Sequence, residues 1–126
     1  MIDRRTLMVA GTAFVIAGSA KAQGGKAMYG LIGQMKTAPG KRTELAAILL
    51  EGTGAMPGCL SYIVAEDTTD ADTLWVTEVW DSKQSHDNSL KLPAVQAAIT
   101  KGRPLIAGFG SRSETVPLGG AGLPRG

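Results

Sequence analysis

Leu60-Ser61-Tyr62-Ile63-Val64-Ala65-Glu66, Asp67-Thr68-Thr69-Asp70-Ala71-Asp72 and Thr73-Leu74-Trp75-Val76-Thr77-Glu78-Val79-Trp80 form the stretch whose reading decides the fold. Two runs rich in β-branched and aromatic residues flank a short polar segment, which is the pattern of paired strands. The Asp and Thr side chains of the link accept backbone N–H groups in tight turns, so the two runs are predicted to form an antiparallel hairpin. Alternation in the second run places Leu74, Val76, Glu78 and Trp80 on one face and Thr73, Trp75, Thr77 and Val79 on the other.

Upstream of the hairpin, Met28 to Lys36 is a mostly apolar run stopped by Pro39-Gly40, and it reads as a strand. Lys41 to Gly52 follows with Leu45, Ile48 and Leu49 at helical spacing; Pro57-Gly58 then turns the chain into the hairpin. Downstream, Asp81-Ser82 offers N-cap chemistry for a short helix through Leu90. Pro93 opens a further helix whose apolar face is Leu92, Val95, Ala98 and Ile99, closed by Gly102 and Pro104. Ile106 to Leu118 contains the last strand, with Gly108 and Gly110 marking a bulge or a close backbone approach. The order is βαββαβ, an α+β ferredoxin-like plan with its second helical region broken in two. Residues 23–118 form this domain, and Gly119 to Gly126 is a glycine-rich tail expected to be flexible. Helices cover one face of such a sheet. Both alternating sets of the first strand are largely apolar, so the other face is expected to be covered by a second copy of the chain in a two-fold homodimer.

The 126 residues carry 13 Lys+Arg against 11 Asp+Glu, with one Cys and one His. The basic excess lies at the start. Arg4-Arg5, an apolar run from Leu7 to Gly18 and the small-x-small site Ala20-Lys21-Ala22 are the three parts of a secretory signal over residues 1–22. The paired arginines resemble a twin-arginine export signal, although Asp3 and Leu7 stand where Ser or Thr and Phe are usual. The apolar run spans about 18 Å as a helix, short of the roughly 30 Å of a bilayer core, so no stable membrane span is expected. Periplasmic or secreted localisation follows as an expectation. Removing Arg4, Arg5 and Lys21 from 13 leaves 10 Lys+Arg, and removing Asp3 from 11 leaves 10 Asp+Glu. The remainder has no net charge and no basic stripe, which argues against nucleic-acid binding. One cysteine excludes an intramolecular disulfide and multi-cysteine metal sites, and one histidine excludes multi-histidine centres. Cys59 lies in an apolar run, where a buried inert thiol is the plain reading and pairing between chains the alternative.

Glu78-Val79-Trp80-Asp81-Ser82-Lys83-Gln84-Ser85-His86-Asp87-Asn88-Ser89-Leu90 resembles the signature of the antibiotic biosynthesis monooxygenase family, a Glu-x-Trp strand end followed at once by a Ser-capped helix. Pro39-Gly40-Lys41, Pro57-Gly58-Cys59 and Arg103-Pro104-Leu105-Ile106 fit the same pattern, so the resemblance covers about residues 27 to 118. It implies a dimeric α+β barrel and oxygen-dependent oxidation of a quinol or polycyclic aromatic without flavin, haem or metal. On that reading the substrate supplies the electrons, while the protein binds it, removes a proton and shelters reduced oxygen. A non-catalytic periplasmic ligand-binding or stress-related module on the same fold is the alternative, and a haem-binding relative a third reading. Haem-degrading relatives carry a Trp on this helix where Ser89 stands, which disfavours haem degradation.

Histidine is the side-chain type best suited to proton transfer near neutral pH, which makes His86 the candidate base. The family more often places its histidine at the position of Ser89; His86 lies three residues earlier, near the same helix face. A surface or cap-associated histidine is the competing reading. Trp80 reads as a strand–helix anchor or a substrate-stacking residue. Glu78 points to an apolar face and needs a partner, for which Arg103 is the candidate. Tyr62, Trp75 and Phe109 would line an aromatic pocket or serve as core or interface, and Asn88 would orient a substrate or peroxide oxygen or face solvent.

Overall fold

The computed structural model describes residues 27–124; the export signal expected over residues 1–22 lies outside them. The elements are β1 (Tyr29–Thr37), α1 (Arg42–Gly52), β2 (Cys59–Glu66), β3 (Thr73–Trp80), α2 (Lys83–Ser89), α3 (Pro93–Gly102), a 3₁₀ turn (Arg103–Leu105) and β4 (Ile106–Thr115). They build one antiparallel sheet in the order β2-β3-β1-β4. This is the expected ferredoxin-like α+β arrangement with its second helical region in two pieces. The last strand ends at Thr115 rather than near Leu118, and Val116 and Leu118 are exposed beyond it.

The hairpin forms as its sequence predicts, with Glu66 opposite Leu74 and Tyr62 opposite Glu78. Its loop is organised by carboxylates. Asp67 Oδ1 accepts the backbone N–H groups of Thr69 (2.8 Å) and Asp70 (2.9 Å), and Asp67 Oδ2 accepts the Trp75 indole N–H at 2.8 Å. Asp70 Oδ1 accepts the Asp72 N–H and its Oδ2 the Thr73 hydroxyl. Arg42 of α1 donates to the carbonyls of Asp67 and Asp70, tying the loop to the helix. These donors hold Asp67 well below the usual carboxylate range, the Trp75 indole first, and the Asp72 N–H and Thr73 hydroxyl lower Asp70 likewise. A depressed carboxylate favours the folded state while it is ionised, and that contribution disappears as pH falls below its unfolded value. The melting temperature is therefore expected to be level above about pH 5 and to fall below about pH 4. Asp67→Asn should flatten that acid limb in circular-dichroism melts; an unchanged limb would exclude Asp67 as its source.

On β1, Tyr29, Leu31, Gly33 and Met35 stand opposite Trp80, Glu78, Val76 and Leu74, so one face of the sheet gathers the apolar partners of the helices. Tyr29, Leu31 and Trp80 form a buried cluster against which Met56 and Cys59 pack. The Cys59 thiol is half-buried rather than fully enclosed, and burial pushes its pKa up, which fits an inert thiol. Leu45 of α1 and Leu74 are wholly buried on this side. Helices α1 and α3 approach closely at Gly52, where a Cβ would lie 2.5 Å from that of Ala98. On the opposite sheet face Ile32 and Ile63 flank Thr77 and are both exposed. A register shift interrupts the β1–β4 ladder between Gly33 and Met35, where Gln34 Oε1 accepts the N–H of Ser111 at 2.9 Å. This is the irregularity that Gly108 and Gly110 announce.

Candidate active site

The Pro57-Gly58 turn and the start of α2 are built together. Gly58 has φ +84°, and a Cβ on it would lie 2.5 Å from that of Ser85. Its carbonyl accepts the Asp81 N–H at 2.9 Å. Ser82 caps α2, accepting the Ser85 N–H at 3.2 Å. A positive φ and a close approach both demand glycine at position 58, and the result is to seat the first turn of α2 beside the end of β3. Four residues into that helix stands His86.

Between the sheet and the helices lies a cavity of about 600 Å³. Met35, Leu45, Leu49, Met56, Val95 and Ile99 supply much of its apolar wall. The polar groups in the wall are few, and most are already engaged. The Thr53 hydroxyl donates to the Leu49 carbonyl (2.7 Å) and the Ser89 hydroxyl to that of His86 (2.6 Å). Glu78 Oε1 accepts the Trp80 indole N–H at 2.9 Å. Among the described residues, no protein partner engages the Tyr62 hydroxyl, Glu78 Oε2 or His86 Nε2. Burial, and then the charge of Glu78, push the Tyr62 phenol well up, so it is a neutral donor. A smaller hollow of about 120 Å³ shares Met35, Glu78 and Phe109 with the main cavity.

His86 is largely buried, with 15% of its side chain exposed. Its ring lies 5.2 Å from that of Tyr29 and 5.6 Å, edge-on, from that of Trp80. Its Nδ1 is 3.0 Å from Asp87 Oδ1. The imidazole and Lys83, whose Nζ is 3.1 Å from Asp87 Oδ2, hold the Asp87 carboxyl below its usual range. An ionised carboxylate only accepts, so Nδ1 carries a proton, and in the neutral imidazole the lone pair is on Nε2. Sequence reasoning missed Asp87, whose only signal was its place beside the histidine. Tyr29 is held elsewhere: its hydroxyl donates to Glu114 at 2.5 Å, and burial with that carboxylate raises its pKa to about 12.

Of the residues singled out from sequence, the structure brings Tyr62, Trp80, His86, Phe109 and Arg103 to the one cavity. Phe109, 69% exposed, and Arg103, also exposed, stand at its rim. Trp75 and Asn88 are not in its lining. Trp75 has the opposite strand parity and turns its indole to Asp67. Asn88 lies on the exposed side of α2, accepting from Gln84 Nε2 at 3.0 Å. The expected Glu78–Arg103 ion pair does not form. Glu78 finds its donor two residues along its own strand face, in Trp80, while Arg103 sits in the exposed 3₁₀ turn.

A ferredoxin-like α+β domain with an apolar cavity between sheet and helices, and a histidine–aspartate pair in its wall, is thus defined. The family model for antibiotic biosynthesis monooxygenases matches residues 28–101, and the chain belongs to that family, whose fold is the dimeric α+β barrel. A crystal structure bearing the same family name, from Chloroflexus aurantiacus J-10-fl, is 59% identical to this chain. It covers 78% of this chain and 100% of its own, with a TM-score of 0.76. A family structure from Caulobacter crescentus CB15 is 21% identical, covering 75% of this chain and 92% of that one at TM-score 0.67. A structure from Mycobacterium tuberculosis is 23% identical, covering 75% and 99% at TM-score 0.63. These two bear on the fold alone. An uncharacterized protein of Synechocystis is 30% identical over 78 residues, 60% of this chain and 53% of that protein, so the chain spans about half the length of this curated relative. Among the described residues no helix is long and apolar enough to cross a membrane.

Proposed function

We propose that the chain is a monooxygenase that oxidises a quinol or related hydroxyaromatic with O₂, the substrate itself supplying the electrons. The observation that carries this reading is the largely apolar cavity of about 600 Å³ with His86 in its wall, the imidazole held through Nδ1 by Asp87. That volume lies in the range of small-molecule sites. The substrate hydroxyl gives its proton to His86 Nε2, and Asp87 steadies the imidazolium that forms. The resulting oxyanion is the electron-rich species that reduces O₂. For a simple quinol the balance is quinol plus O₂ giving hydroxyquinone plus water. The organic product takes one oxygen atom and water the other, and a four-electron oxidation matches the four-electron reduction of O₂. The ring stacks within the aromatic and aliphatic wall near Trp80 and Tyr62, with Phe109 and Arg103 at the entrance.

Oxygen-electrode measurements with metal-stripped protein and naphthalene-1,4-diol test the reading. Expected is O₂ uptake equal to the diol consumed. No uptake across a panel of quinols and anthrones would leave a ligand-binding module on the same fold.

The working unit in this proposal is a homodimer joined through the open sheet face, supported by the exposure of Ile32 and Ile63 and by the family's fold. Ile63→Lys is expected to convert the dimer to monomer in light scattering coupled to gel filtration; a dimer unchanged by this charge would place the interface elsewhere. Export by way of Arg4-Arg5 completes the proposal, and N-terminal sequencing of the protein recovered outside the cytoplasm would show cleavage after Ala22.

A further inference from the structure

Glu78 is a carboxylate in the wall of a mainly apolar cavity, and among the described residues it makes no ion pair. One oxygen takes the Trp80 indole N–H at 2.9 Å, and the other has no donor among the described residues. Tyr62 stands directly opposite Glu78 on the neighbouring strand, lines the same cavity, and holds its phenolic proton. Both side chains are half-buried, and a carboxylate oxygen and a phenol without protein partners among the described residues are groups that a ligand displacing water must satisfy. His86 is a separate acceptor that contacts the same side chain in the cavity wall: the indole N–H meets Glu78, while the indole and imidazole rings lie 5.6 Å apart and nearly perpendicular. The cavity thus presents two polar stations, each in contact with the Trp80 indole.

We infer that Glu78 and Tyr62 form a second polar anchor, which receives a hydroxyl of the substrate remote from the one His86 deprotonates, so that the cavity selects dihydroxyaromatics over monohydroxy ones. The inference rests on the proposed quinol reading and narrows it: Glu78 Oε2 accepts the remote O–H, and Tyr62 donates to the oxygen of the same hydroxyl. Glu78 holds the ring in place and is a positioning residue for the proton transfer at His86.

Binding separates this inference from turnover. Isothermal titration under argon would compare naphthalene-1,4-diol with 4-methoxy-1-naphthol, in which one hydroxyl is capped. The wild-type protein is expected to favour the diol about tenfold, the worth of one charge-assisted hydrogen bond. Glu78→Gln keeps an oxygen for the Trp80 N–H and should bring the ratio close to one. Tyr62→Phe keeps the ring, should reduce the ratio in part, and serves if Glu78→Gln fails to give native near-UV circular dichroism. A wild-type ratio near one, a ratio that survives both substitutions, or no saturable diol binding would each overturn the inference. Diol selectivity without O₂ uptake would uphold the anchor while removing the monooxygenase reading. O₂ uptake with a ratio untouched by Glu78→Gln would do the reverse.

Discussion

Replacing His86 by alanine is expected to lower kcat for quinol oxidation by about 10²–10⁴-fold, the usual contribution of a positioned general base. The expectation follows from three features acting together. The ring is held between Tyr29 and Trp80, so its orientation is set by packing. Asp87 accepts a hydrogen bond from Nδ1–H and so directs the lone pair to Nε2. The wall around it is mainly apolar, so a bound aromatic ring would displace water from the imidazole. Asp87→Asn offers an amide where the carboxylate stood, loses the charge that steadies the imidazolium, and should cost kcat less than His86→Ala does. KM should move little in His86→Ala, because the ring retains its apolar contacts and the remote anchor. Stopped-flow oxygen consumption under saturating substrate checks the size of the loss. A His86→Ala protein with native kcat would show that the proton leaves by another route.

The hairpin and its flanking helices were legible because strand alternation and helical spacing report burial directly. Leu74, Val76 and Trp80 share a parity, and all three are buried on the helix side. Trp75 is one residue out of phase, so the pocket role offered to it from sequence fails on its own strand parity, and its tie to Asp67 was not legible. That bond depends on how the Asp67–Asp72 loop folds back over β3. Glu78 shows the same boundary. Its parity placed it on the apolar face, and a need for a partner followed correctly from its charge. Which donor reaches it depends on side-chain geometry, and Trp80 on the same strand face was closer than Arg103 in a turn brought in by the last helix. Asn88 and His86 lie two residues apart on α2, about 200° around a helix, so they cannot both face the cavity. The rotation that brings His86 beside Trp80 sends Asn88 outward to Gln84.

Trp80→Ala is expected to cost about 3–5 kcal/mol, the range for truncating a large buried aromatic. Total stabilities of single domains are only about 5–15 kcal/mol, so this one change should take a large share. Trp80 is 1% exposed, packs with Tyr29 and Leu31, and closes the wall between the core and the cavity. Its removal opens a void that the β-sheet beneath it resists filling by collapse. The fall in melting temperature should exceed about 12 °C, at roughly 4 °C or more per kcal/mol for a domain of this size. Trp80→Phe separates packing from the polar role. It keeps an aromatic ring but removes the N–H that Glu78 accepts, a loss of about 1–2 kcal/mol that leaves the fold intact. With its fixed donor gone, Glu78 no longer holds one orientation, and the preference for a dihydroxy ligand should shrink along with the modest loss in stability. Thermal melts followed in the near-UV would read the first effect and calorimetric titration the second. A Trp80→Ala protein melting within a few degrees of the native one would mean that the strand–helix contact at Trp80 is not what holds the cavity wall in place.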